Sequence, residues 1–182
     1  MKEKNIELFS NEWMSVFKSE KGFTYCQRKS INSIAALLYK KINDEYIFMI
    51  HYQPLPEIVE KKSWDQCYPS ALTGSIEPNQ SPIECCLNEV FEESGYKISE
   101  KNIKASSISI ATTQMNEKVF NFVVDVSELI PDEIHTDGSI FESVSYNKWY
   151  DEHSFNDILQ NELVLSSLNS LYLLFLKKIK DV

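Results

Sequence analysis

The sequence predicts an α/β protein in which helices cover both faces of one mixed sheet. Two observations predict this fold: segments with strand character precede and follow one well-marked central helix, and an amphipathic helical segment comes last. The 182 residues include only 4 glycines and 6 prolines, and no low-complexity linker or repeat divides them. We therefore expect a β-hairpin extension over residues 1–30 and one main domain over residues 31–182.

Two hairpins are predicted ahead of the central helix. The first joins residues 13–17 to 23–27 through a turn that contains Gly22, and the second joins 31–42 to 45–52 through Asn43 and Asp44. β-Branched and aromatic residues, which favour strands, are also concentrated further along the chain. The segments concerned are a short apolar run at 68–72 and three strands at 103–111, 119–126 and 143–149.

The central helix has the clearest boundaries. Ser81 is a capping residue, Pro82 occupies the first helical position and Glu84 the third, which is the pattern of a capping box. Gly95 supplies the left-handed residue that commonly ends a helix. A further helix is expected from Phe155 onward, because apolar residues recur there at offsets of three and four. Its apolar stripe comprises Val164, Leu168, Leu171, Tyr172, Phe175 and Ile179.

The charge and the cysteine content limit the possible functions. Because 27 acidic residues oppose 18 Lys and Arg, the net charge is -9, and direct binding to nucleic-acid phosphates is not expected. The four cysteines, at positions 26, 67, 85 and 86, show neither a C-x-x-C spacing nor a partner histidine pattern. No secretory signal or apolar span of about 20 residues is present, so we expect a cytoplasmic protein without a membrane segment.

One side of the central helix is acidic. At about 100° per residue, Glu89, Glu92 and Glu93 fall together, opposite an apolar side that packs against the protein. Three carboxylates at these offsets repel one another unless a cation lies among them. A solvated acidic face is the simpler interpretation of such a cluster, and a metal site is the alternative.

The residues around this cluster favour the metal site. Gly74 precedes Glu89 by fifteen residues, and Val90, Gly95 and Tyr96 complete a pattern with the three glutamates. The pattern resembles the box of the Nudix hydrolase family, G-x5-E-x7-R-E-U-x-E-E-x-G-U with U bulky and apolar, at seven of its nine specified positions. The two departures are Gln80 in place of Glu and Asn88 in place of Arg, and a hydrogen bond between these amides would replace the family's ion pair.

The resemblance implies a Nudix-like α/β/α sandwich and an enzyme that hydrolyses a diphosphate linkage with the help of Mg²⁺, for which Mn²⁺ could substitute. A divalent cation is needed because an acidic protein otherwise repels a diphosphate. By resemblance, Glu89 and Glu93 are the principal metal ligands, and Glu92 is a ligand or acts through water in catalysis. The carbonyl of Thr73, before the box glycine, would complete the ligand set.

Outside the box the chain resembles, more loosely, the ADP-ribose pyrophosphatase branch of the family. His51-Tyr52-Gln53 stands where that branch often has Gln-Tyr-Arg, and an acidic loop over residues 137–142 precedes a predicted strand. The resemblance implies that Arg28, His51 and Glu117 contact the substrate. It also suggests Glu142 as a catalytic base or an extra ligand, the alternative being a solvated loop glutamate.

This branch favours ADP-ribose or a nucleotide sugar as the substrate. It also implies a homodimer, in which the apolar N-terminal hairpin, roughly residues 7–27, reaches across to the partner's substrate site; the alternative is a hairpin that folds back on its own domain. Gln53 replaces the arginine of the branch, and Leu72-Thr73 replaces Pro-Ala before the box, so the substrate pocket is not expected to be identical. The departures at Gln80 and Asn88 leave a catalytically silent binding module with this fold as the alternative function.

Overall fold

The computed structural model describes residues 5–55, 57–134 and 138–181. Three α-helices are present in this part of the chain: α1 (Pro82–Ser94), α2 (Glu152–Asn161) and α3 (Ser166–Lys178). The strands are β1 (Ile6–Ser10), β2 (Met14–Lys18), β3 (Thr24–Arg28), β4 (Ser33–Ile42), β5 (Glu45–Pro54), β6 (Cys67–Ser70), β7 (Leu72–Ser75), β8 (Ile103–Ile110), β9 (Lys118–Asp125) and β10 (Tyr146–Asp151).

The N-terminal segment forms a sheet of its own. The predicted hairpin corresponds to β2 and β3, and Gly22 adopts φ 86° at the turn between them. The structure adds β1, which pairs antiparallel with β2, so the extension is a three-stranded sheet rather than a hairpin. All five residues of β1 are exposed, so the strand packs no apolar face against the core of the described chain.

The main sheet has the order β10-β5-β4-β9-β8, with β6 added on β5 and β7 added on β4. The β4–β9 pair is parallel and the other pairs are antiparallel, which confirms the predicted mixed sheet. The turn between β4 and β5 contains Asn43 at φ 49° and Asp44 at φ 66°, as a two-residue hairpin turn requires. Asn43 and Asp44, which tolerate positive φ, thus allow the tight turn that sets the register of β4 against β5.

Two apolar layers lie on opposite faces of the main sheet. One joins Leu37, Phe48 and Val123 of the sheet to Phe155 of α2 and Phe175 of α3. The other joins alternate residues of the same strands to α1, where Cys85, Cys86 and Val90 are buried. Because α1 covers one face and α2 with α3 cover the other, the predicted α/β/α sandwich is confirmed.

The C-terminal region differs from the prediction in two ways. The single helix expected from Phe155 is divided into α2 and α3, because residues 162–165 leave the helical path and the Leu165 N–H donates to the Pro69 carbonyl at 3.0 Å. The strand expected at 143–149 lies later, since Glu142–Val144 form a short 3₁₀ turn ahead of β10. Four residues of the predicted apolar stripe, Leu168, Leu171, Tyr172 and Phe175, are buried on α3, whereas Val164 and Ile179 lie outside the helix and are partly buried.

No helix in the described residues is both long enough and apolar enough to cross a bilayer.

Candidate active site

The acidic helix is held firmly at both ends. Ser81 accepts the Glu84 N–H and Glu84 accepts the Ser81 N–H, so the predicted capping box is present. Gly95 ends the helix at φ 75°, and its N–H donates to the Phe91 carbonyl at 2.8 Å. A side chain at this position would also overlap the carbonyl of Asp132, which lies directly over the glycine. Gly95 therefore serves both the helix end and the close approach of a second segment.

Gly74 makes room for Glu89. A Cβ at Gly74 would overlap the Glu89 side chain, so the glutamate lies directly against the backbone of β7. Any other residue type at position 74 would place a Cβ in the space that the Glu89 carboxylate occupies, so glycine is required for this arrangement. Gly74 and Glu89 of the box are thus in contact, although Glu89 follows Gly74 by fifteen residues in the sequence.

The Glu93 carboxylate is largely withdrawn from solvent. Its carboxylate accepts the backbone N–H of Thr73, and its Oε2 is buried with no hydrogen-bond partner in the described part of the chain. Burial raises the pKa of Glu93 well above its ordinary range, and the nearby charges of Glu89, Glu142 and Glu92 raise it further. The expectation that the helix glutamates lie on an unpacked face is therefore wrong for Glu89 and Glu93, because β7 packs against both side chains, and it holds for the exposed Glu92.

The four predicted carboxylates share one region. Glu89 is partly buried, Glu92 is exposed, and Glu142 is partly buried in the turn before β10. Their effect on the pKa of Glu93 shows that all three lie close enough to act on its charge. In an extended strand the N–H and C=O of one residue face the same side, so the Thr73 carbonyl is expected on the side that Glu93 occupies. Asp137, in the predicted acidic loop, lies outside the described residues.

His51 is buried beside the acidic helix, and a residue that the sequence did not single out connects the two. His51 is 5% exposed, and its Nδ1 lies 2.8 Å from Oδ1 of Asn147 on β10. Asn147 Nδ2 donates to the main-chain carbonyl of Glu93 at 2.6 Å. Burial lowers the pKa of His51. Only one signal could have found Asn147: asparagine is uncommon inside strands, so its place in a predicted strand is unusual.

Arg28 and Glu117 contact each other. Arg28 Nη1 lies 3.2 Å from Glu117 Oε1, and Nη2 donates to Ser75 Oγ at 2.6 Å. Glu117 is 5% exposed and also accepts the Ser33 hydroxyl at 2.5 Å. The N-terminal sheet is thereby joined to β4, β7 and the start of β9, next to the box glycine. The substrate contacts predicted for Arg28 and Glu117 stay predictions. The sequence did not indicate the ion pair between them.

The predicted hydrogen bond between Gln80 and Asn88 is absent, although both residues lie in the described part of the chain. Gln80 Oε1 instead accepts the Glu77 N–H at 3.0 Å within the same loop. Asn88 is exposed on the helix surface. The Gln80 side chain therefore stabilises the loop ahead of α1 through a contact within that loop.

The donor set fits a hard divalent cation. Carboxylates of Glu89, Glu92 and Glu93 and the Thr73 carbonyl offer only oxygen, which Mg²⁺ and Mn²⁺ prefer. The buried, unpartnered Glu93 Oε2 is an atom that a cation would satisfy. No three His, Cys, Asp or Glu side chains in residues 5–55, 57–134 and 138–181 converge into a ready-made metal group.

Comparison with known proteins supports the fold. No protein-family model matches the chain. A solved crystal structure of an ADP compounds hydrolase matches it with a TM-score of 0.63 and 16% sequence identity, over 100% of this chain and 96% of that chain. At this identity the likeness shows a shared fold, a Nudix-like α/β/α sandwich. The fold class predicted from the sequence is thus confirmed.

Proposed function

We propose that this protein is a Mg²⁺-dependent hydrolase that cleaves the diphosphate linkage of a nucleoside diphosphate joined to another group, with ADP-ribose or a nucleotide sugar as the favoured substrate. The observation that carries the proposal is the buried Glu93 carboxylate, whose Oε2 has no partner among the described residues while other glutamates lie near it. The likeness to an ADP compounds hydrolase supports the substrate class. Mn²⁺ is expected to substitute for Mg²⁺.

Glu89 and Glu93, with the Thr73 carbonyl, would hold the cation, and Glu92 would contribute directly or through water. Bound there, the ion supplies charge neutralisation of the diphosphate and activation of water. The protein's part is to fix these oxygens: Gly74 gives Glu89 its place, and Thr73 N–H orients Glu93. Glu142 is the candidate base, because it is the acidic residue near Glu93 that comes from outside the helix.

A phosphate-release screen tests this function. Purified protein is incubated with ADP-ribose, nucleotide sugars, dinucleoside polyphosphates, nucleoside triphosphates and capped RNA, each with Mg²⁺, with Mn²⁺ and with EDTA. A phosphatase that acts only on the exposed monophosphates of the products reveals cleavage. We expect metal-dependent turnover of ADP-ribose or a nucleotide sugar, and no turnover of any of these compounds would contradict the proposal.

A non-catalytic binding module is the second candidate. The missing contact between Gln80 and Asn88 favours it, because the loop and the helix of the box lack a direct brace at this point. The same compounds distinguish the two functions. If a ligand binds in calorimetry with Mg²⁺ present and is recovered intact after prolonged incubation, the protein is a binding module.

We also propose a homodimer built through the N-terminal sheet. Trp13, directly before β2, is 73% exposed in the single chain, and Phe9 in β1 and Phe23, directly before β3, are more than half exposed. An apolar surface of this kind on a small sheet needs a cover, and a stable two-fold interface buries about 1,600 Å². Light scattering on dilute protein tests it: a mass near the 21.1 kDa of one chain would reject the dimer. A fully active dimer after deletion of residues 1–27 would reject the role of this sheet.

A further inference from the structure

Asn147 links β10 to the last turn of the acidic helix. Its side-chain amide donates to the Glu93 carbonyl at 2.6 Å, and its oxygen lies 2.8 Å from Nδ1 of His51 on the neighbouring strand β5. The two residues are opposite each other in the antiparallel β10–β5 pair. They lie on the face of the sheet that also carries Met49 and Trp149, which pack in the α1 layer.

The direction of each hydrogen bond in this bridge follows from the groups involved. A main-chain carbonyl can only accept, so the NH₂ group of Asn147 faces Glu93 and its oxygen faces His51. His51 must then carry a proton on Nδ1 to donate to that oxygen. The Glu93 carbonyl therefore sets the orientation of the Asn147 amide, and His51, as the Nδ1–H tautomer, reinforces it by donating to the amide oxygen.

The Glu93 carbonyl needs such a partner. The last four carbonyls of an α-helix receive no hydrogen bond from an N–H within the helix, and α1 ends at Ser94. Gly95 caps the Phe91 carbonyl but leaves the Glu93 carbonyl to other donors. Asn147 supplies the donor from the sheet, so the end of the helix is tied to β10 at the residue that carries the buried carboxylate.

Glu93 is consequently held at two points. The Thr73 N–H holds its carboxylate, and Asn147 holds its main chain. We propose that Asn147, oriented by His51, is a positioning residue that fixes the Glu93 carboxylate for binding of the divalent cation. This inference rests on the proposed function, in which Glu93 is a metal ligand. Residues behind the ligands commonly alter metal affinity by about 10–100-fold when they are removed.

Direct Mn²⁺ binding, measured by the loss of the free Mn²⁺ signal in electron paramagnetic resonance, tests the proposal without any substrate. We expect Asn147→Ala to weaken Mn²⁺ binding by about 10–100-fold. His51→Leu, which leaves Asn147 without its orienting donor, should weaken binding in the same direction. His51→Gln should restore it, because the glutamine amide can donate to the Asn147 oxygen. Turnover of Asn147→Ala should fall at low Mg²⁺ and recover at saturating Mg²⁺.

Asn102→Ala is the matched control. Asn102 donates to the Asp125 carbonyl at 3.0 Å, so this variant loses the same type of bond at a site away from the glutamates. Its melting temperature should fall without a change in Mn²⁺ affinity. If the wild-type protein binds no Mn²⁺, the proposed function fails. If the wild type binds and Asn147→Ala binds equally well, the positioning role is wrong. If Asn147→Ala does not fold, equal affinities of His51→Leu and His51→Gln overturn the proposal.

Discussion

The variant Glu93→Gln should have opposite effects on stability and on metal binding. In the metal-free protein the Glu93 carboxylate is buried near Glu89, Glu92 and Glu142, and its Oε2 has no partner in the described part of the chain. Its negative charge therefore lowers the free energy of unfolding, and each unit by which a pKa is raised corresponds to about 1.4 kcal/mol. Glutamine keeps the shape and removes the charge. We expect the variant to be at least about 1 kcal/mol more stable at about pH 8 in EDTA.

The effect should depend on pH in a definite direction. Because the pKa of Glu93 is raised from the ordinary value of 4.5, the folded protein keeps a proton that the unfolded chain has already released. The wild-type free energy of unfolding should therefore fall as the pH rises above 4.5 and through the raised pKa. Glu93→Gln lacks this loss, so the two proteins should be similar at low pH and diverge as the pH rises.

Mg²⁺ should reverse the order of stability. A ligand present at 100 times its Kd stabilises the folded state by about 2.7 kcal/mol, and the wild type should gain this while the variant should not. Turnover of the variant should fall by at least about 10²-fold. Thermal melts in EDTA and in saturating Mg²⁺, across this pH range, measure all of these shifts, with about 2–4 °C expected per kcal/mol. A variant that is less stable than the wild type in EDTA, or equally stabilised by Mg²⁺, would refute the reasoning.

Three further variants test individual contacts. Gly74→Ala should displace the Glu89 carboxylate and lower turnover by about 10²-fold while the protein still folds, as kinetics and circular dichroism would show. Ser81→Ala removes the cap of α1 and should cost about 1 kcal/mol in urea unfolding. Lys180→Ala loses the 2.6 Å ion pair to Glu152, which is partly exposed, and should cost only about 0.5 kcal/mol in the same assay. A larger loss for Lys180→Ala than for Ser81→Ala would contradict this ranking.

Features that depend on neighbouring residues in the chain could be predicted from the sequence. The ends of α1 depend on Ser81, Glu84 and Gly95, which act within one or two helical turns of themselves. The turn at Asn43 and Asp44 is similarly local, since both residues tolerate the positive φ that the hairpin needs. In each case the residues that determine the conformation are adjacent to it.

Features that depend on distant segments could not be predicted in this way. The break between α2 and α3 lies in apolar residues that continue the helical pattern, and it accompanies a hydrogen bond from Leu165 to Pro69 on another element. The burial of Glu93 depends on β7, although the helical pattern places it with the exposed Glu92. Asn147 acquires its role only from the register of β10 against β5.

The Arg28–Glu117 ion pair allows a structural tie to be separated from a substrate contact. Arg28→Met would leave Glu117 buried, with the Ser33 hydroxyl as its remaining side-chain donor among the described residues. Removing one partner of a buried pair costs several kcal/mol, but the Arg28 side chain is 39% exposed, so we expect a loss of about 1–3 kcal/mol. Adding Glu117→Gln removes the unpaired charge and should recover most of that loss, a coupling that a double-mutant cycle measures.

The kinetic constants of the same variants decide the second role. If Arg28 contacts the anionic substrate, the KM raised by Arg28→Met should stay raised in the double variant, because restored stability does not restore the guanidinium. Arg28→Lys should raise the KM less than Arg28→Met does, since lysine keeps the positive charge but not the bidentate geometry. If the double variant recovers both stability and KM, Arg28 serves only to hold the N-terminal sheet to Ser75 and Glu117. Additive losses of stability would show instead that the ion pair contributes nothing as a pair.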